Sequence, residues 1–236
     1  MQNRQKSNSM KKRVFVILLA IISLTASGQC RYCNTYEDFV KGQWVQLDTV
    51  YCNSHSKTHQ FWWGGNDFTL TTRNDATDKI LKKKAFVVMQ ADTLYVNCRN
   101  LQYDKMRFGN GYTRAKRIGQ RSLLLVNKML DSDALSRQRA MGIMFGAIGG
   151  LAASAVSASA QMKQQVCYVI SWGGDKKGRI SIRLIDDTLM EQMLVNHDNL
   201  RYEYYSEEDA AKRLLATHII PILEKAGLFH QFESSH

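Results

Sequence analysis

From Ala140 to Met162 the chain reads AMGIMFGAIGGLAASAVSASAQM, twenty-three residues without a charge. Gly142, Gly146, Gly150, Ser154 and Ala158 recur in it at every fourth position. On a helix this spacing draws one slowly drifting stripe of small residues. Such a stripe lets another backbone come close, as helices do in lipid, where the hydrophobic effect gives no drive to associate. At about 1.5 Å per residue the run is long enough to span a bilayer. Its five Ile, Leu, Phe and Val residues bring only about −1.5 to −3 kcal/mol of insertion energy, and four glycines and three serines oppose them. Topology also opposes a simple crossing: strand-like sequence lies on both sides, so one span would cut a β domain in half. Two readings stand, a membrane-inserted segment and a helix or helical hairpin packed on a soluble domain. Self-association fits both. These five small residues are therefore the candidate interaction face, with a second copy of the chain and the membrane as candidate partners.

The N-terminus has a different logic. Lys11, Lys12 and Arg13 precede an apolar run, Val14 to Leu24, and Ala26-Ser27-Gly28 follows. That is the three-part layout of a secretory signal peptide, with cleavage expected before Gln29. An apolar run of about eleven residues is too short for a span, which needs about twenty. Gln29 and Ser27 stand where a lipoprotein signal wants a small residue and a large aliphatic, so a lipid on Cys30 is not expected. The expectation is a leader at 1–28 and a single domain at 29–236, exported to the periplasm or cell envelope. The net charge of +11 is partly the leader's: five of the 32 Lys and Arg precede Gln29, leaving 27 against 21 acidic residues, or +6. This residual charge suits weak attraction to anionic surfaces. An exported chain rarely meets nucleic acid, and none is expected as a partner.

The remainder predicts an α+β fold: a mostly antiparallel sheet, interrupted by the small-residue helix and closed by two C-terminal helices. In NTYEDFVKGQWVQL, Thr35 can cap a short helix, Glu37 and Asp38 fill its first turn, Gly42 ends it, and a strand follows. Between Gln60 and Leu130 five or six short strands are expected. Two of them join at Gln90-Ala91-Asp92, and Asn110-Gly111 is the strongest hairpin signal. Lys82-Lys83-Lys84 reads as a solvated strand start. QVCYVISW and GRISIRLID read as strands flanking a turn. A helix starts near Asp186, where the pair Asp186-Asp187 serves capping. A second takes Ser206 as N-cap, carries an apolar face from Ala211 to Leu223, kinks at Pro221, which cannot donate to the Thr217 carbonyl, and stops at Gly227.

Chemistry is sparse. Five cysteines follow the leader, which in an oxidising compartment points to one or two disulfides and one leftover thiol. Cys30-x2-Cys33 lies eighteen residues before Cys52-x2-His55-x3-His59. Thiolates and imidazoles at such intervals can close a tetrahedral zinc site, so Cys30, Cys33, Cys52 and His55 form the candidate metal set and zinc the candidate cofactor. The competing reading is disulfide pairing or free thiols, with no cofactor at all. Cys98 or Cys167 with His197 or His218 would be a thiol–base pair, but both cysteines sit in strand-like runs and His218 on an apolar helix face, which points to buried, inert groups. Trp62, Trp63 and Trp172 beside glycine turns suit either a glycan-stacking platform or the core.

NTYEDFV, WGGNDFTL, DTLYVNC, the Gly/Ala stretch and DDTLMEQMLVNHDNLRYEY together resemble a family of exported proteins of unknown function common in the Bacteroidota. The resemblance covers most of the chain beyond the leader. It implies export and an envelope setting, and brings no catalytic motif. The functional expectation is a non-enzymatic structural or interaction protein. The alternatives are a cysteine-dependent periplasmic enzyme and a glycan-binding module.

Overall fold

The structure is a computed structural model that describes residues 30–56, 60, 66–130, 165–173 and 180–230. The leader, the stripe Gly142, Gly146, Gly150, Ser154 and Ala158, and His59, Trp62 and Trp63 lie outside the described residues.

The chain opens with β1 (Cys30–Cys33) and α1 (Tyr36–Lys41), then β2 (Val45–Leu47), β3 (Tyr51–Ser54) and β4 (Phe68–Thr71). α1 forms as its sequence dictates. Thr35 Oγ1 accepts from the Asp38 N–H while Asp38 accepts from the Thr35 N–H, and Gly42 closes the helix at φ +69°. Next come α2 (Asp75–Lys83), β5 (Val87–Gln90), β6 (Thr93–Asn97) and a 3-10 turn at Cys98–Asn100. β7 (Gln102–Tyr103), β8 (Met106–Arg107), β9 (Tyr112–Ile118), β10 (Ser122–Lys128), β11 (Gln165–Trp172) and β12 (Ile180–Leu184) follow. The C-terminal part holds α3 (Asp187–Met193), α4 (Asp198–Tyr205), α5 (Ala210–Arg213), α6 (Ala216–Lys225) and β13 (Phe229–His230).

The main sheet runs β12-β11-β10-β9-β6-β5-β1-β2, with β4 and β13 also pairing to β9 and β3 to β4. Every pairing is antiparallel. Both faces of its centre are buried. Leu123 and Leu125 of β10 join Val166, Tyr168 and Ile170 of β11 in one cluster with Tyr36 and Phe39 of α1. Leu124, Cys167 and Val169 point the other way, into a cluster closed by α3, α4 and α6. Period-two alternation between two apolar layers makes such strands read as near-continuous hydrophobic runs. A third cluster gathers Cys30, Tyr32, Val88 and Tyr95 under Leu81 of α2. The sheet is strongly curled. Between β1 and β11 the path takes five strand-to-strand steps, about 24 Å if flat. Yet Tyr36, three residues past β1, lies 5.8 Å from the Phe86 ring and 6.1 Å from that of Trp172, and donates its hydroxyl to the Arg121 carbonyl.

Several expectations need correction. Asn110-Gly111 is no hairpin turn: β8 pairs back to β7 around Asp104-Lys105, both at positive φ. The Asn110 carbonyl instead accepts from the main-chain and side-chain N–H groups of Asn66, and a Cβ on Gly111 would meet the Phe68 carbonyl oxygen at 2.9 Å. Lys82-Lys83-Lys84 closes α2 instead of opening a strand. This helix buries Leu81 and partly buries Ile80, and the rest of it is polar. Ser206 ends α4, its N–H donating to the Tyr202 carbonyl, and Asp209 caps α5. The single apolar stripe from Ala211 to Leu223 is broken because Leu215 turns extended and bridges to Val166. α6 runs through Pro221 and is ended by Gly227 at φ +67°. The Leu228 N–H then donates to the Leu223 carbonyl, closing a Schellman cap.

Candidate functional site

An open groove of about 460 Å³ lies where the β1–α1 loop, the end of α2, the end of β6 and β12 meet. Its floor is apolar: Phe86, Leu101, Ile180 and Ile182. Its rim is polar: Asn34, Thr35, Lys84, Asn100 and Gln102.

Asn97 sets this geometry. It is 5% exposed, and its amide donates to the carbonyls of Leu81 at 3.0 Å and Ala85 at 2.9 Å. Its Oδ1 accepts from the Arg99 N–H at 3.1 Å. One buried side chain thus ties the end of α2 to the end of β6 and shapes the turn that presents Asn100 and Leu101. Each such bond contributes about 1 kcal/mol net, and an unsatisfied buried partner costs more. The other wall is fixed by the Phe86 N–H, which donates to the Cys33 carbonyl at 2.8 Å. Tyr36 closes one end. Burial pushes its phenol above the ordinary value, so it stays a neutral donor. No carboxylate, histidine or cysteine lines the groove among the described residues.

The candidate metal residues do not converge. Cys30 packs in the cluster beneath α2, whereas Cys33 points through the other face of β1 into the central core. Cys52 hydrogen-bonds with Tyr95. Both ring nitrogens of His55 are engaged, Nδ1 with the Asn66 carbonyl at 3.1 Å and Nε2 with Thr69 Oγ1 at 3.0 Å. Among the described residues no group of three or more His, Cys, Asp and Glu could hold a metal ion. The expected disulfides are corrected too: no disulfide joins Cys33, Cys52, Cys98 or Cys167. Burial, the largest cause in each case, pushes Cys33 and Cys167 up to about 12, and Cys98 upward as well, where the Asp67 charge adds to it. These are the opposite of nucleophilic surroundings. His218 is half-buried and bonded through Nε2 to the Tyr204 carbonyl at 2.9 Å. Trp172 is 43% exposed. No helix among the described residues is long and apolar enough to cross a membrane.

Two polar clusters escape sequence reasoning. In one, Asn127 donates to Asn66 at 2.7 Å, Asn66 donates to the Phe108 and Asn110 carbonyls, and Thr113 donates to Asp67 at 2.8 Å. This network pins Asn66 and Asp67 against β9 and β10. In the other, Arg213 forks onto Asp187 (3.1 and 2.6 Å), which also accepts from the Tyr204 hydroxyl at 2.7 Å. Asp186 alone is the cap of α3. Both clusters satisfy their own members and hold elements together.

A family model, described as a family of unknown function (DUF6563), matches residues 31–230. No curated protein and no solved structure matches the chain.

Proposed function

The chain belongs to that family of unknown function, and from its own surfaces we propose that it is an exported envelope protein that works by binding and not by catalysis. The groove carries this reading. It offers an apolar floor and hydrogen-bonding amides, the usual composition of a ligand site. Among the described residues its lining holds no carboxylate, histidine or cysteine, the groups that most often serve acid–base or nucleophilic chemistry. The thiols of Cys33, Cys98 and Cys167 add support, since burial favours the neutral form of each. The three-part N-terminus supports export, and the four-residue spacing of Gly142, Gly146, Gly150, Ser154 and Ala158 supports association between copies.

Thiol labelling of the folded protein tests the non-enzymatic claim. Cys33, Cys98 and Cys167 are expected to stay unlabelled from pH 6 to 9 and to react only on unfolding. A thiol that labels within seconds at pH 6 in the folded protein would be an activated thiolate, and the cysteine-dependent enzyme would take the place of this reading.

A further inference from the structure

Within the binding reading above, the nature of the ligand follows from which rim groups lack partners. The side chains of Asn34, Lys84 and Gln102 make no hydrogen bond or ion pair with any described residue. The Asn100 amide has only a long 3.4 Å contact to the Lys83 carbonyl. Each carboxamide offers a donor and an acceptor side by side, the complement of a peptide group. Lys84 offers one cation. Below them, Ile180 and Ile182 belong to β12, which ends the sheet path and pairs with β11 alone among the described strands. No described strand pairs with its outer edge, an arrangement that suits β-strand addition. Phe86 and Leu101 complete a floor for apolar side chains.

We propose that the groove takes a short extended peptide bearing a carboxylate: main chain on the carboxamides and the β12 edge, apolar side chain on the floor, carboxylate on Lys84. Competing ligands fit less well. A fatty-acid anion would use Lys84 and the floor and leave three carboxamides idle. A nucleotide wants several cations and an open aromatic face, and the one floor aromatic, Phe86, is 9% exposed. The volume of about 460 Å³ suits a segment of about three residues, within the usual range of ligand clefts.

The test uses the purified full chain and three probes: a pool of N-acetylated tetrapeptides with free C-terminal carboxylates, the same pool amidated, and dodecanoate. Saturation-transfer NMR finds the binders, and titration of the best peptide gives its affinity. The expected result is binding of the free-carboxylate pool and about tenfold weaker binding of the amidated one. Lys84→Gln should abolish that difference, and Asn34→Ala should weaken both pools alike. Both residues are exposed, so thermal unfolding of the variants should match the parent. Equal binding of the two pools that ignores Lys84→Gln would overturn the assignment. Dodecanoate binding where no peptide binds would also overturn it, while leaving the groove as a binding site. Silence from all three probes would overturn it as well. The broader binding reading falls separately, to an activated thiolate.

Discussion

Arg213 is the best-supported polar side chain of the C-terminal part. It forks onto Asp187, donates to the Glu207 and Glu208 carbonyls, and lies over the Tyr205 ring at 5.3 Å. The guanidinium beside Asp187, helped by the Tyr204 hydroxyl, holds this carboxyl below its ordinary value of 3.8, against the opposing effect of burial. A carboxyl depressed in the folded state stabilises the fold above its unfolded pKa, and that contribution is lost as pH falls through the folded value. Thermal unfolding between pH 7 and 2 should therefore show Asp187→Asn to be less stable near neutrality, by about 1 kcal/mol because the carboxylate is 40% exposed and partly screened. The two proteins should converge in acid, below about pH 4. A constant gap at every pH would remove the ion pair from the account. In the sequence, Asp186 and Asp187 look alike, and both are sensible caps. Only the packing of α3 against α5 separates a capping aspartate from a salt-bridging one.

Among the elements, the two ends of α1 were legible because their signals are local. A Thr35–Asp38 capping box and a Gly42 stop need nothing beyond the helix itself. α2 has equally good caps, Asn74 first and three lysines last, but a single buried leucine, so it looks like polar sequence before a strand. Asn110-Gly111 shows the reverse failure, a strong local signal put to another use. Two glycines make the contrast measurable. Gly42 and Gly111 both have positive φ, at +69° and +93°. A Cβ on Gly42 meets nothing within 4 Å, whereas one on Gly111 meets the Phe68 carbonyl at 2.9 Å. Gly42→Ala should cost about 1 kcal/mol of backbone strain. Gly111→Ala should cost more than about 2 kcal/mol, because a fixed backbone oxygen must also move. Urea unfolding of the two variants checks this, and equal losses would contradict the close approach of β4 to β9.

For the whole molecule, the N-terminal layout and the small-residue stripe make joint predictions. The exported chain should have a mass that starts at Gln29. Cross-linking in cells should trap a homo-oligomer that Gly146→Leu removes. A full-length mass, or cross-links unchanged in that variant, would count against the corresponding half of the reading. Features of this kind are written along the chain: charge, then apolar run, then small residues; a cap, then a turn, then a stop; alternation that commits a run to strand. The sequence by itself therefore determined an α+β chain with an antiparallel sheet, the place of α1, the β5–β6 and β11–β12 strands and the Gly227 stop, because each depends on neighbours a few residues away. The tertiary structure alone decided the groove. Asn34, Lys84, Asn100 and Ile182 are scattered along the chain, and they line one groove because the sheet curls and Asn97 ties α2 to β6. The same holds for the cysteines: residues three apart on a strand face opposite cores, so a motif that promises a metal site on paper is divided by the pleat of β1.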